Sequence, residues 1–160
     1  MSLEKRIDPQ SNRPLKALKK ALPKGLNGIS NILERRQVLL ENVEKMKAIY
    51  PASSNVLREN YFVSRKGGKP ELKLRTYRPK SKEGTLPCLY YIHGGGMIMG
   101  SVENDDVNAS MLSELLEVMV VSVEYRLAPE DPYPAQLNDC YDGLIWLDSN
   151  KDKLQIDSSK

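Results

Sequence analysis

The pattern of apolar and polar positions changes character near residue 58. Before it, the repeat is helical. Ile32, Leu39, Val43, Met46 and Tyr50 recur at the 3.6-residue period, Asn31 precedes them with Glu34 three residues on, and Pro51 closes the run. This predicts a helix over 31–50 with one apolar stripe, so a helix that lies against something else. Residues 1–30 read as irregular chain with one short helix through Leu15, Leu18 and Leu22, ended by Pro23. After residue 58 the pattern predicts a strand over 60–66, a turn at Lys66-Gly67-Gly68-Lys69 and a second strand over 71–77. In the second strand Leu72, Leu74 and Thr76 alternate with Lys73, Arg75 and Tyr77, as in a strand with one wet face. A polar loop spans 79–87. The continuous apolar runs 87–92 and 118–125 predict strands covered on both faces. Between them a helix runs from Asp105 or Asp106 to about Glu117, with Val107, Met111, Leu115 and Leu116 inward. A proline-bearing loop covers 126–133. A last helix starts at Pro134, continues to about Ser149 and buries Leu137, Cys140, Tyr141, Leu144 and Leu147. Residues 151–160 read as a polar exit.

A hairpin followed by strand–helix–strand–helix implies an α/β fold. Its sheet is mostly parallel after the first strands, flanked by helices, with a right-handed crossover. Such a sheet is expected to continue with another strand. Two regions follow from the pattern: a helical segment over 1–57 and the α/β part over 58–160.

Composition narrows the class. The chain has 160 residues, 40% hydrophobic and 28% charged, which suits one folded soluble domain or part of a larger one. The net charge of +3 is uneven, +6 over residues 1–50 and −3 over 51–160. Lys16, Lys19, Lys20 and Lys24 carry much of the basic excess. Beside so short a leucine stripe they read as a solvated helix face, with neither nucleic-acid binding nor stable membrane insertion expected. The run 118–123 is far too short to span a bilayer, and the first ten residues lack a signal peptide's apolar core. Cys88 and Cys140 lie in apolar surroundings and read as free thiols of a cytoplasmic protein. No spacing suggests a metal site or a cofactor.

The candidate chemistry is in His93-Gly94-Gly95-Gly96, which closes the apolar run Leu89-Tyr90-Tyr91-Ile92. Three glycines after a strand let the backbone turn its N–H groups outward with no Cβ in the way. A dinucleotide fingerprint counted from Gly94 fails at Met99, and a phosphate loop counted from Gly95 and Gly100 fails at Ser101, where lysine is required. Binding of a developing oxyanion survives. Yet the chain contains no Gly-x-Ser-x-Gly, and its single histidine is His93. Ser101 reads as a cap, and Glu103, Asp105 and Asp106 as helix capping and dipole complementation. Arg126 and Glu130 read as loop braces, Tyr141 and Trp146 as core.

The stretch His93-Gly94-Gly95-Gly96-Met97-Ile98-Met99-Gly100-Ser101 resembles the oxyanion loop of the hormone-sensitive-lipase family of α/β-hydrolases. So do Glu124-Tyr125-Arg126-Leu127-Ala128-Pro129-Glu130, Pro132-Tyr133-Pro134-Ala135 and Asp139-Cys140-Tyr141-Asp142-Gly143. The resemblance implies an incomplete α/β-hydrolase fold, its front half, with residues 1–57 as a cap-like segment and 58–160 ending before the nucleophile elbow. It implies a serine carboxylesterase or lipase acting on small ester substrates of short to medium acyl chain. In that chemistry a serine attacks the carbonyl, and a histidine held by an acid moves the proton. Gly95 and Gly96 would donate to the oxyanion, Gly94 would shape the turn, and His93 would hold the loop. None of the triad is present, so these residues alone are expected to be inactive. The family's strand order places the strand ending at His93 beside the nucleophile strand, so its edge is expected to be unpaired and apolar. Three accounts are compatible with this: the N-terminal part of an ester hydrolase, one subunit of a split hydrolase completed by a chain with the C-terminal half, or a non-catalytic binding protein or remnant.

Overall fold

The computed structural model describes residues 6–21 and 25–159. Expectations resting on residues 1–5, Leu22, Pro23, Lys24 and Lys160, and on the Leu18 side chain, lie outside what is described. The chain forms two compact units, 1–42 and 43–160, and the division falls inside the second helix.

The first unit contains α1 (Pro9–Ala21), a short 3-10 turn (Leu26–Gly28) and the first part of α2 (Ile32–Ile49). Asn31 caps α2 as its sequence predicts: its Oδ1 accepts the N–H groups of Leu33 at 2.9 Å and Glu34 at 3.1 Å. The Arg35 guanidinium donates to the Ile29 carbonyl from Nη2 at 2.6 Å and Nε at 3.1 Å, which ties the entry loop to the first turn. None of the α2 residues is fully buried; Ile32, Leu39 and Val43 of its stripe are half-buried, and Met46 and the following Tyr50 are exposed.

The second unit is built on five strands: β1 (Val56–Val63), β2 (Leu72–Pro79), β3 (Leu86–Ile92), β4 (Met119–Glu124) and β5 (Ile156–Asp157). Their order is β1-β2-β4-β3-β5. β1 pairs with β2, and β2 with β4, antiparallel; β3 runs parallel to β4 and to β5. The hairpin is longer than its pattern indicates, starting at the Val56↔Pro79 pair. α3 (Asp106–Leu116) and α4 (Ala135–Ser149) follow β3 and β4.

The core straddles the sheet. Leu72, Leu74, Val121, Val123, Tyr125 and Leu147 pack together with Leu86, Leu154 and Ile156, while Val56, Tyr77, Ala109 and Val120 pack as a second cluster. Burying side chains of this size stabilises by roughly 1.5–3 kcal/mol each before chain entropy is set against it.

Several expectations are corrected here. β2 keeps its alternation at Lys73 and Arg75, which are half-buried, but departs from it at Tyr77, which is fully buried and donates its O–H to Asp106 at 3.0 Å. α3 turns inward its small residues, Ala109, Ser110 and Ser113, not Met111, Leu115 and Leu116, which are exposed. Small side chains let the helix approach closely, and the Ser113 hydroxyl reaches the carbonyls of Tyr77 at 3.0 Å and Val118 at 2.9 Å. α4 buries Ala135, Gln136, Asp139, Gly143 and Leu147, whereas Leu137, Tyr141 and Leu144 are exposed and Cys140 is half-buried. Trp146 is half-buried against Tyr61, with ring centroids 5.1 Å apart. β3 is apolar but uncovered at Leu89 and Ile92. The polar exit supplies Leu154 and Ile156 to the core.

Candidate functional site

β3 delivers His93 to the start of the glycine loop. From there the backbone enters the left-handed region at Gly95 (φ 125°), Gly96 (63°) and Met97 (65°), and again at Gly100 (92°). Two glycines are required by close approach: a Cβ on Gly95 would overlap the Met99 carbonyl, and one on Gly100 would overlap the Gly94 carbonyl and the His93 ring. Gly96 has open space around it and is favoured by its φ alone. The turn closes with the N–H groups of Ile98 at 3.3 Å and Met99 at 3.1 Å on the Gly95 carbonyl. The N–H groups of Gly95 and Gly96 donate to no other group among the described residues. They are the two that the resemblance assigns to an oxyanion.

His93 is buried and structural in its contacts. Its Nδ1 lies 2.9 Å from the Gly94 carbonyl, which assigns the proton to Nδ1 in the neutral ring. Its ring stacks on Tyr125 at 4.0 Å between centroids and 11° between planes. Its carbonyl accepts the Tyr125 O–H at 2.8 Å. Nε2 is buried with no hydrogen-bond partner among the described residues. Burial pushes the Tyr125 phenol up to about 12, so it stays a donor at any working pH.

The segment after β4 supports the loop from the other side. The Ala128 N–H donates to the Met97 carbonyl at 2.9 Å. Arg126 donates to Asp139 and, from Nη1 at 3.0 Å, to Asp131. Asp139 is fully buried; burial pushes its carboxyl up, but the hydrogen bonds from Arg126 and Arg65 outweigh this and hold it below the usual carboxylate range. Beyond Gly100, the Ser101 hydroxyl accepts the Asn104 N–H at 3.1 Å, and Glu124 accepts the Val102 N–H at 2.9 Å. An apolar cleft of about 360 Å³ opens beside the loop, lined by Ile92, His93, Gly96, Met97, Leu137 and Cys140 among others. Both cysteines are free, and burial pushes the Cys88 thiol up to about 11, which makes it a poor nucleophile.

Of the acidic trio after the loop, Glu103 and Asp106 are paired with cations, and Asp105 accepts the Asn108 side-chain amide at 3.1 Å. Glu103 takes Arg75, with Lys73 at 3.3 Å and Lys47 at 3.6 Å. The Arg75 hydrogen bond, against the opposing effect of burial, brings the Glu103 carboxyl down to about 2. Asp106 takes Arg75 at 3.0 Å as well as Tyr77. Asp105 stands at the N-cap position of α3 but makes no side-chain bond to the helix N–H groups, contrary to the capping expectation. Tyr125, Ala128, Asp139 and Arg65 were not singled out as loop supports by sequence. Three of them lie in the 124–130 and 139–143 blocks, which are the available signal; Arg65 carries none.

The family described as alpha/beta hydrolase fold matches over residues 89–160. An arylesterase of Saccharolobus solfataricus is 38% identical over 90 residues, 56% of this chain and 29% of that protein. The carboxylesterase NlhH of Mycobacterium tuberculosis is 38% identical over 93 residues, 58% of this chain and 29% of that one. Among solved structures, the hyperthermophilic esterase from the archaeon Pyrobaculum calidifontis superposes with a TM-score of 0.80 at 31% identity, over 94% of this chain and 46% of that one. A bacterial heroin esterase gives 0.76 at 32% identity, over 82% and 41%. The chain thus spans less than half the length of these relatives. These matches support the hormone-sensitive-lipase-like family of α/β-hydrolases, and this chain carries a part of the α/β-hydrolase fold.

Proposed function

We propose that residues 93–97 are the oxyanion-binding loop of a serine carboxylesterase or lipase-type hydrolase acting on esters of short to medium acyl chain. The observation that carries this reading is the pair of N–H groups, Gly95 and Gly96, left without acceptors among the described residues just after β3. When a serine attacks an ester, the carbonyl oxygen gains the charge of the broken π bond, and preorganised amides stabilise it without reorganisation. Gly94 shapes the turn, and His93 holds it through Nδ1 and its stack on Tyr125. The nucleophile, its acid and its base are outside the 160 residues, since these hold no Gly-x-Ser-x-Gly and no second histidine. In this reading residues 1–57 are a cap-like segment and 58–160 the front of the hydrolase framework. Two free thiols support a cytoplasmic location.

The test is hydrolysis of p-nitrophenyl acetate and butyrate. The 160 residues alone should give no organophosphate-sensitive turnover. With a second polypeptide carrying the elbow, acid and base, turnover should appear, and Gly95→Ala should lower kcat by about 10²–10³-fold. Organophosphate-sensitive turnover by the chain alone, or an undisturbed kcat for Gly95→Ala, overturns the reading.

One observation favours a second form of it, a hydrolase completed by a separate chain. β5 pairs with β3 only at Leu86↔Ile156 and Pro87↔Asp157. Residues 88–92 therefore have no strand on that side among the described residues, and Leu137, Tyr141 and Leu144 of α4 stand exposed. A parallel strand followed by a helix would cover both. Co-purification of a polypeptide bearing Gly-x-Ser-x-Gly supports this form, and a stable monomer without such a partner counts against it.

A further inference from the structure

Arg126 stands between the two residues that hold the glycine loop, and what grips Arg126 belongs to a different element. We propose that Asp139 of α4 is a positioning residue for the glycine loop, acting through Arg126 and the 125–128 segment. Its functional meaning rests on the oxyanion reading; its geometry does not.

Asp139 accepts the Arg126 main-chain N–H at 3.0 Å and its Nε at 2.9 Å on Oδ2, and Nη2 at 2.8 Å on Oδ1. One carboxylate thus fixes both the guanidinium plane and the peptide that joins Tyr125 to Arg126, the geometry for which the rigid arginine fork is suited. With that peptide fixed, Tyr125 is aimed at His93, bonding its carbonyl and stacking on its ring. Two residues further on, Ala128 bonds the Met97 carbonyl. The loop is therefore held at residue 93 and at residue 97, on either side of Gly95 and Gly96, by neighbours of the one residue that Asp139 clamps.

Arg65, at the end of the β1–β2 hairpin, completes the clamp. Its Nη1 bonds Asp139 and lies 3.3 Å from Asp142, while its Nη2 is buried with no partner. An arginine left partly unsatisfied in the interior is held there by its charge pair. The carboxylate faces Arg65 and Arg126; the other charged groups at the cluster are Asp142 with Lys69 and Asp131 on Arg126.

The test follows amide signals of the ¹⁵N-labelled full chain, so it needs no turnover and is readable even if the oxyanion reading fails. Asp139→Asn keeps the shape and removes the charge. It should shift the Gly95 and Gly96 amide resonances. It should also speed exchange of the Ile98, Met99 and Ala128 amides about tenfold or more beyond its effect on β4 amides, because local opening and global unfolding are separable. Val121→Ala, which lowers stability from the middle of β4, should raise exchange at both places alike and leave the glycine resonances in place. Arg126→Lys, which keeps the charge and loses the fork, should reproduce the loop pattern in weaker form and decides the matter if Asp139→Asn does not fold. Unmoved Gly95 and Gly96 resonances in the folded variants, or loop exchange that rises only as much as that of β4, would show that Asp139 merely stabilises the fold.

Discussion

β3 and β4 are neighbours in one parallel ladder, paired from Cys88↔Met119 to Ile92↔Val123, and both are apolar almost throughout. β4 is buried from Met119 to Val123, whereas β3 exposes Leu89 and Ile92. Their residues do not explain the difference; their neighbours do. β4 lies between β2 and β3 and packs against both α3 and α4. β3 has β4 on one side and, among the described residues, only two residues of β5 on the other. An apolar run states what a strand can tolerate, and the sheet order decides what it receives. In this chain the less covered strand is the one that carries the glycine loop.

The largest test of that contrast is a pair of truncations. Val121→Ala removes two methyl groups from a fully buried position and should cost about 2–3 kcal/mol, including the cavity it leaves. Ile92→Ala, half exposed at the end of β3, should cost under about 1 kcal/mol. Urea unfolding of the two variants measures both, and equal costs would break the comparison.

A subtler test sharpens it at a close contact between β3 and α4. Tyr90 donates its O–H to the Cys140 carbonyl at 2.9 Å, and its hydroxyl lies where a Cβ on Gly143 would be. Alanine should favour the helix by up to about 1 kcal/mol, but here its methyl would meet Tyr90 and, at 3.2 Å, Leu74. We expect Gly143→Ala to lose about 1–2 kcal/mol net, and Tyr90→Phe in the same chain to relieve most of the clash. A Gly143→Ala chain more stable than wild type would mean that the seam between β3 and α4 is loose.

The smallest effect is electrostatic and belongs to the covered side. Glu103 titrates near 2 when folded against an ordinary 4.5, so its pairing stabilises fully above about pH 4.5. That contribution is lost as pH falls towards 2, the direction required for a depressed carboxylate. Because Glu103 is partly exposed, solvent weakens the pair and the slope is modest. Melting temperatures of wild type and Glu103→Gln between about pH 5 and pH 2 should converge as acid is added. Parallel curves would remove Glu103 from the account.

Much of the fold was legible because its signals are local. The cap at Asn31, the Gly67-Gly68 turn between β1 and β2, the apolar runs of β3 and β4 and the helix after Pro134 each follow from nearest-neighbour chemistry. The glycine loop was legible too, since three successive glycines after a strand have few other uses. Helix faces were read less well. On α3 and α4 the large apolar residues were placed inward, yet close packing on the sheet selected Ala109, Ser113, Gly143 and the clamped Asp139. Periodicity ranks faces by hydrophobicity, and it cannot see that a small residue permits approach or that a buried carboxylate is satisfied in part by an arginine 74 residues away, as Arg65 is from Asp139.

The sequence by itself determined the class of fold, the order of its elements and the motif that could bind an oxyanion, because backbone propensity, alternation and glycine chemistry act over a few residues. Only the tertiary structure decided which apolar strand is covered, that His93 is held by Tyr125, and that Asp139 links Arg65 to the segment behind the loop. Those outcomes depend on contacts between residues distant in the chain, whose energies exist only once the sheet order has brought them together.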